Sequence, residues 1–255
     1  MIHPENLIIA HRGESFDAPE NTLASINLAW ERGIKSVEVD IHLTKDKEIV
    51  VIHDKNTRRV AGTRKIIRKS SLNELRQLNA GKHKGVKWNK ELIPTLKEVL
   101  NSVPSSCRLI IEIKSDSRII EKLKIVLEES DLKNSQVELI GYNAKTLAAA
   151  KLMMPGYKML WILDLDYYLP HWMVLISKNN IIEKLKKYNL DGVDVWAGRV
   201  LRPSFIKDMK QNGFLVYSWT VDSRDKARYL IDNGIDGITS NRGAFLIEEL
   251  KSNAH

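Results

Sequence analysis

Eight short apolar runs alternate with segments of helical periodicity along almost the whole 255-residue chain. An apolar run of roughly four to eight residues between turn signals is typical of a buried strand, and apolar residues at i, i+3 and i+4 indicate an amphipathic helix. With one hairpin arm set aside, each predicted strand is followed by a predicted helix. The predicted strands are LIIAH (7–11), SVEVDIHLT (36–44), RLIIEIK (108–114), QVELIGY (136–142), KMLWILD (158–164), GVDVWAG (192–198), FLVYSWTV (214–221) and GITS (237–240).

This order favours an α/β fold of the (β/α)₈ TIM-barrel class, and the chain has the length of one such domain. A doubly wound open sheet is the alternative, but the GxGxxG fingerprint of dinucleotide folds is absent after the first strand. Residues 55–94 differ from the rest because they are basic and polar, with one short helix candidate over 71–78. We expect a single barrel domain, 1–255, with an insertion or lid at about 55–94. The aromatic, irregular segment 164–180 is predicted to be a second loop over the barrel mouth.

Composition narrows the range of partners. The 40 basic and 32 acidic residues give a formal charge of +8, which favours an anionic partner unless the excess is only a solvated surface. No block of about five consecutive Lys or Arg marks a nucleic-acid-binding tail, and no segment approaches the roughly 18 apolar residues of a membrane span. By charge alone the partner could be a small-molecule phosphate ester, nucleic acid or a lipid surface. Because neither signature is present, we expect no nucleic acid and no stable membrane insertion. The oligomeric state is left open.

Cys107 is the only cysteine, which excludes an internal disulfide and suits a reducing compartment. No charged and then apolar leader precedes the first predicted strand. Both observations favour a cytoplasmic protein, with an exported form left open.

Four polar residues, KDKE, connect the second strand directly to the apolar run IVVIHD. A parallel pair would need a crossover of about a dozen residues, so this connection predicts an antiparallel hairpin. We expect Thr44 to lie opposite Ile49. The same register places His53 opposite Asp40, with the Cβ atoms roughly 5 Å apart, whereas a one-residue bulge would turn His53 to the other face.

Titratable residues end three consecutive barrel strands: His11 the first, Glu38 and Asp40 the second, Glu112 and Lys114 the third. Active sites of these barrels lie at the C-terminal strand ends, and residues i and i+2 share a face. Converging carboxylates repel one another and take up protons unless a cation compensates them. Ligation by oxygen alone suits Mg²⁺ or Ca²⁺ better than Zn²⁺.

Two histidines beside such a cation can divide the acid and base roles of a displacement at phosphorus, and here these are His11 and His53. Arg12 and Lys114 would neutralise the phosphate oxygens. Each residue also has a structural interpretation, since His11 could be a satisfied strand-end histidine and the carboxylates could be ion-pair partners within the barrel. The occurrence of these histidines, carboxylates and cations together at neighbouring strand ends favours a catalytic role over these structural ones. His42 is assigned a rim or pairing role.

At these positions the sequence resembles the glycerophosphodiester phosphodiesterase family. The matching motifs run in the family's order over nearly the full chain: HRG (11–13), PENT (19–22), VEVDIHLTKD (37–46), HD (53–54) and EIK (112–114), with weaker matches at SWTVD (218–222) and GIDGITS (234–240). The resemblance implies a (β/α)₈ barrel with a small insertion after HD. It also implies divalent-cation-dependent hydrolysis of glycerophosphodiesters to an alcohol and sn-glycerol 3-phosphate.

The resemblance assigns roles residue by residue: acid–base catalysis to His11 and His53, the metal to Glu38, Asp40 and Glu112, the substrate phosphate to Arg12 and Lys114, and the glycerol pocket to Trp219. One cation is implied, Mg²⁺ or Ca²⁺, with Mn²⁺ as a further candidate. The family usually ends its last strand in an acidic TDxP-like turn, whereas residues 240–243 here are SNRG. This departure concerns that loop and leaves the core constellation intact.

Two other functions compete with this one. A related barrel phospholipase, of the sphingomyelinase D kind, would act on lysolipid or sphingolipid head groups and would need an apolar loop, for which YYLPHWMVLI (167–176) is the candidate. A catalytically silent barrel that binds phosphate esters would need no second histidine. The alcohol head group, the native metal and the division of acid and base roles are left open.

Overall fold

The computed structural model describes residues 3–164 and 174–252, with the backbone alone for 174–177. Its strands are β1 (Ile8–His11), β2 (Ser36–Leu43), β3 (Ile49–Val51), β4 (Arg108–Ile113), β5 (Val137–Gly141), β6 (Lys158–Leu163), β7 (Gly192–Trp196), β8 (Leu215–Trp219) and β9 (Gly237–Ser240). All except β3 are parallel to their neighbours, and β1 pairs with both β2 and β9. The sheet therefore closes into an eight-stranded parallel barrel, as the sequence predicts.

Helices follow the barrel strands in turn. In the described part of the chain they are α1 (Leu23–Glu31), α2 (Arg58–Ala61), α3 (Leu72–Arg76), α4 (Leu96–Asn101), α5 (Ile120–Glu128), α6 (Ala144–Met153), α7 (Val174–Lys187), α8 (Pro203–Gln211), α9 (Arg224–Asp232) and α10 (Gly243–Lys251). α1 and α4 to α10 follow the eight barrel strands one by one, which confirms the (β/α)₈ prediction. None of these helices is both long and apolar enough to cross a bilayer.

The alternation of side chains along each strand separates two apolar cores. Ile8 and Ala10 of β1 pack outward in the large cluster between strands and helices, whereas Ile9 joins Ile110 and Ile140 inside the barrel. Because side chains alternate, the residues two positions beyond these inward aliphatic groups also face the barrel axis. The polar strand ends are therefore directed toward the mouth of the barrel by the same alternation that builds its core.

The entry to α1 links helix capping to the site. Thr22 is the N-cap of the helix: its side chain accepts a hydrogen bond from the backbone N–H of Ser25 in a capping box. Asn21 does not cap the helix. Its backbone is left-handed, with φ 57°, and its amide hydrogen-bonds to Asp40 instead.

The hairpin formed by β2 and β3 is antiparallel, as predicted, but its register is not the predicted one. Leu43, not Thr44, lies opposite Ile49. The turn is longer than expected because the Thr44 hydroxyl bonds to both the backbone N–H and the carbonyl of Glu48. The prediction that His53 lies opposite Asp40 in the ladder is therefore wrong. β3 ends at Val51, and His53 lies beyond it.

We call residues 55–94 the cap. It contains α2, α3 and three short 3₁₀ turns, and the predicted helix at 71–78 is α3. Val60, Ile67 and Leu75 form a separate apolar cluster that packs on Val50 and Ile52 beside β3. The cap thus has its own small core seated against the hairpin. The division of the chain into one barrel domain and an inserted segment stays a prediction.

The second predicted loop, 164–180, lies partly outside the described residues, which omit 165–173. From Val174 onward the chain is helical rather than irregular, because α7 already runs there. The apolar stretch 167–176 falls mostly in the part that is not described.

Candidate active site

The barrel register brings three carboxylates together. His11 pairs with Glu38 across β1 and β2, and Asp40 pairs with Glu112 across β2 and β4. Glu38 and Asp40 share the inward face of β2 because they are two residues apart. One carboxylate oxygen from each of Glu38, Asp40 and Glu112 lies within 4.8 Å of the other two, and all three residues are buried. The convergence expected from the sequence is present.

Asp40 is the most fully paired member of this cluster. Lys114 Nζ lies 3.3 Å from its Oδ1, Arg12 Nε lies 3.2 Å from its Oδ2, and the Asn21 amide donates to the same Oδ2 at 2.8 Å. Burial raises the pKa of Asp40, but the charges of Lys114 and Arg12 outweigh it and hold this pKa well below the usual range. Lys114 also lies 2.8 Å from Glu112 Oε1.

The carboxylate of Glu38 is less fully compensated than that of Asp40. Its Oε2 accepts a hydrogen bond from the backbone N–H of Arg12 at 3.0 Å, but its buried Oε1 has no hydrogen-bond partner among the described residues. Burial and the charges of Asp40 and Glu112 raise the pKa of Glu38 well above its usual range, and burial with the Asp40 charge raises the pKa of Glu112 to about 7. Three carboxylates thus face two cations. A partnerless buried oxygen within an all-oxygen cluster fits a divalent cation.

A chain of hydrogen bonds fixes the orientation of His11. The Asp222 carboxylate can only accept, so at 2.8 Å it must face the amide nitrogen of Asn241. The amide oxygen of Asn241 then accepts from His11 Nδ1 at 2.7 Å. His11 Nε2 therefore carries the lone pair, 4.0 Å from Glu38 Oε2. Burial, and then the charge of Arg12, lowers the pKa of His11 to about 4.

His53 has a different partner. Its Nδ1 donates to the carboxylate of Asp54 at 2.8 Å, and its imidazole is about one third exposed. Burial lowers the pKa of His53, while the charge of Asp40 and the hydrogen bond to Asp54 act in the opposite direction. The ring of His42 donates from Nε2 to the backbone carbonyl of His53 at 3.0 Å. His42 thus holds the chain beyond β3, which agrees with the pairing role assigned to it.

The carboxylate of Glu20 joins the cap to the site. Arg59 of the cap donates to both of its oxygens, at 2.5 and 2.8 Å, and Arg12 donates to one of them at 2.9 Å. Arg59 also bonds to Asp54, the partner of His53. Burial raises the pKa of Glu20, but the hydrogen bonds from Arg59 and the charges of both arginines lower it to about 2.

Trp219 lies on the same rim, at the end of β8. Its ring makes edge-to-face contacts with Trp196 (5.0 Å between centroids) and Tyr142 (6.1 Å), and Lys114 Nζ lies 5.6 Å from the Tyr142 ring. A fourth buried carboxyl, Asp194 of β7, also faces inward. Burial and the charge of Glu112 raise its pKa well above the usual range.

The structure therefore brings all eight predicted site residues to one rim and adds others that sequence reasoning missed. Asn241 lies in the SNRG turn whose departure from the family had given it no role. Glu20 and Asn21 belong to the PENT motif and Asp222 belongs to SWTVD. The sequence, however, gave no indication of which residues they would bond to. Asp194 could have been found from the sequence, because it alternates with Val193 and Val195 in the run GVDVW and so must face the barrel axis when they face the helices.

A (β/α)₈ barrel that gathers imidazoles and carboxylates at the C-terminal ends of its strands is a barrel enzyme, here a phosphoric diester hydrolase. The sequence model of the glycerophosphoryl diester phosphodiesterase family matches residues 11–244. The chain belongs to that family.

Individual relatives agree with this assignment. A glycerophosphodiester phosphodiesterase of Caldanaerobacter subterraneus subsp. tengcongensis is 32% identical over 248 residues, covering 95% of this chain and 97% of that protein. A phosphodiesterase of Oleispira antarctica, solved with the product sn-glycerol-3-phosphate, matches with a TM-score of 0.85 at 28% identity over 96% of both chains. A Thermotoga maritima glycerophosphodiester phosphodiesterase shares the fold, with a TM-score of 0.78 at 23% identity over 95% of this chain and 97% of that one.

The linkage through Glu20 predicts a pH-dependent stability. The pKa of Glu20 in the folded protein is about 2, against an ordinary value of 4.5. The ionised side chain therefore contributes its full stabilisation of the fold above about pH 4.5, and this stabilisation is lost as the pH falls toward 2. Glu20→Gln should lower the free energy of unfolding by about 2–3 kcal/mol at pH 7. In urea titrations at about pH 3.5, the difference in free energy of unfolding between wild type and Glu20→Gln should be smaller than at pH 7 by about 1 kcal/mol.

Glu31→Gln is the matched control, since Glu31 is exposed and makes no ion pair with a described residue. It should change stability by less than about 0.5 kcal/mol. A gap for Glu20→Gln that stays constant with pH would contradict the linkage.

Proposed function

We propose that this chain hydrolyses a glycerophosphodiester to an alcohol and sn-glycerol 3-phosphate, with His11 and His53 in the acid and base roles and a divalent cation as cofactor. One observation carries the proposal: the unprotonated Nε2 of His11 faces a buried carboxylate cluster that includes Glu38 Oε1, an oxygen with no hydrogen-bond partner among the described residues. Phosphoryl transfer needs a proton acceptor beside positive charge, and a divalent cation held by this cluster would supply that charge.

Glu38, Asp40 and Glu112 would hold the cation. When bound, the cation supplies positive charge to the phosphoryl oxygens as they become more negative. Ligation by carboxylates alone favours Mg²⁺ or Ca²⁺, with Mn²⁺ as a further candidate. Arg12 and Lys114 already lie against this cluster, so their remaining donors can bind the substrate phosphate.

The two histidines differ in a way that divides the roles. A neutral amide accepts from Nδ1 of His11, so nothing at that nitrogen stabilises an imidazolium, and Nε2 starts as a proton acceptor. A carboxylate accepts from Nδ1 of His53, which stabilises the protonated ring. We therefore assign His11 as the base that takes a proton from the attacking water, whose oxygen bonds to phosphorus while the phosphorus–oxygen bond to the departing alcohol breaks. His53 is then the acid that protonates the leaving oxygen.

The competing functions receive less support. The phospholipase alternative depends on the apolar stretch 167–176, which lies mostly outside the described residues, so no contact of that stretch supports it. The silent binding alternative leaves unexplained why two imidazoles each have a dedicated hydrogen-bond partner at Nδ1. Trp219, next to Tyr142 and Lys114, suits the wall of the glycerol pocket.

Activity on glycerophosphocholine tests the proposed function. We expect glycerol 3-phosphate to be released with Mg²⁺ or Ca²⁺ present, and release to stop with a chelator and return when the cation is restored. The product is measured by a coupled dehydrogenase assay. Turnover of lysolipid or sphingomyelin without turnover of glycerophosphocholine would favour the phospholipase. Failure on every diester with Mg²⁺, Ca²⁺ and Mn²⁺ would favour the silent binder.

Removing either histidine should cost catalysis and spare the fold. His11→Ala and His53→Ala are each expected to lower kcat by about 10²–10⁴-fold, the usual contribution of a general acid or base. Circular dichroism and urea unfolding check that both variants remain folded. His3→Ala is the control, because His3 is exposed and remote from the carboxylate cluster, and it should match wild type. Near-wild-type kcat in either active-site variant would remove that histidine from the mechanism.

Asn241 is a positioning residue whose role shows in the pH profile. Asn241→Ala should lower kcat by about 10- to 100-fold, because the His11 ring loses the partner that fixes its tautomer. Asn241→Asp would place a carboxylate on Nδ1 and raise the pKa of His11. Since His11 must be neutral to accept a proton, the acid limb of the kcat profile should then move to higher pH. An unshifted limb in Asn241→Asp would contradict the assignment of His11 as base.

A further inference from the structure

The net positive charge of the chain is confined to the cap. Residues 55–94 contain 12 of the 40 basic side chains and only 2 of the 32 acidic ones. The remaining residues, 28 basic and 30 acidic, are therefore slightly negative. The formal charge of +8 is thus a local property of one surface rather than a general feature of the molecule.

Much of this charge is neither buried nor paired. Of the basic residues in the cap, nine are exposed. Eight of those nine make no ion pair with any described residue: Lys55, Arg58, Arg64, Arg68, Lys69, Lys82, Lys87 and Lys90. By contrast, Arg59, Lys65 and Arg76 have carboxylate partners. Unpaired cations at such density repel one another, so their field is available to an external anion.

The same segment exposes apolar groups beside its lysines. Val86 is 83% exposed and Leu92 is 42% exposed. Between them, Lys87 lies over the ring of Trp88, with its Nζ 4.6 Å from the centroid. Lysines with tryptophan and aliphatic groups are the composition of surfaces that lie at a bilayer interface.

The cap also borders the barrel mouth. Lys84 donates to the backbone carbonyl of Phe16 at 2.8 Å, and the backbone N–H of Phe16 donates to the carbonyl of Asn241 at 3.0 Å. Phe16 is 56% exposed, and the guanidinium of Arg242 lies 4.5 Å from its ring. Basic and apolar groups therefore continue from the cap to the rim beside His11.

We propose that the cap is a docking surface for an anionic phospholipid bilayer, which it binds peripherally with the barrel mouth near the membrane. Charge complementarity supplies the attraction, since each lysine near an anionic leaflet contributes roughly a fivefold gain in binding. The exposed Val86 and Leu92 favour a bilayer over nucleic acid, because a phosphate backbone offers aliphatic groups no apolar environment. The association is superficial and requires no membrane-spanning segment. It is independent of the catalytic proposal.

Vesicle co-sedimentation tests this docking with a matched pair of variants. Lys69, Lys82 and Lys90 are changed together to Gln in the cap variant, and Lys133, Lys186 and Lys207, which are exposed outside the cap, are changed together to Gln in the control. Each triple substitution lowers the formal charge from +8 to +5. We expect wild type to bind phosphatidylcholine–phosphatidylglycerol vesicles and not pure phosphatidylcholine. The cap variant should bind roughly 100-fold more weakly, and the control much as wild type does.

Two further measurements separate the contributions. Binding should weaken steeply as salt is raised toward about 1 M, where the screening length is only about 3 Å. Val86→Ser should weaken vesicle binding without changing its salt dependence. Equal loss in both triple variants would assign the effect to net charge and overturn a specific surface. So would an absence of binding to the anionic vesicles at low salt, or tighter binding of the cap to a duplex oligonucleotide than to those vesicles.

Discussion

The structure depends on compensating three carboxylates that are buried at the rim of a closed barrel. Asp40 is neutralised by Lys114 and Arg12, while Glu38 retains an oxygen with no partner in the described residues. Arg12 and Asn21 both adopt left-handed backbone conformations to reach this cluster, with φ of 56° and 57°. Such conformations cost about 1 kcal/mol each. The loop after β1 is thus shaped by electrostatics at the site more than by its own local preferences.

From this cluster, charge pairing extends outward in one connected network. Arg12 binds Asp40 inside the barrel and Glu20 above it, and Glu20 binds Arg59 of the cap. Arg59 in turn holds Asp54, which orients His53. The cap is therefore coupled to the catalytic rim through side chains as well as through its own apolar cluster. A surface that carries the net positive charge of the molecule is therefore held next to the catalytic rim.

The barrel and the inward direction of its site residues could be predicted, because both follow from period-two alternation in short apolar runs. Glu38 and Asp40 must share a face, and their strand must adjoin its neighbours in a closed parallel barrel. The hairpin register could not be predicted. It depends on whether Thr44 bonds to the backbone of Glu48 and lengthens the turn. The sequence KDKE is compatible both with the predicted turn over 45–48 and with the longer turn over 44–48.

By itself, then, the sequence determined the order of strands and helices, the face on which the polar residues of the barrel strands lie, and the family, since these depend on local periodicity and short motifs. Only the tertiary structure decided the partner of His11. Asn241 is 230 positions from His11, and their hydrogen bond exists because β9 closes the barrel against β1. A side-chain amide becomes a specific acceptor only when another group, here Asp222, orients it. Contacts at such separation are set by packing of the whole fold, which no local pattern encodes.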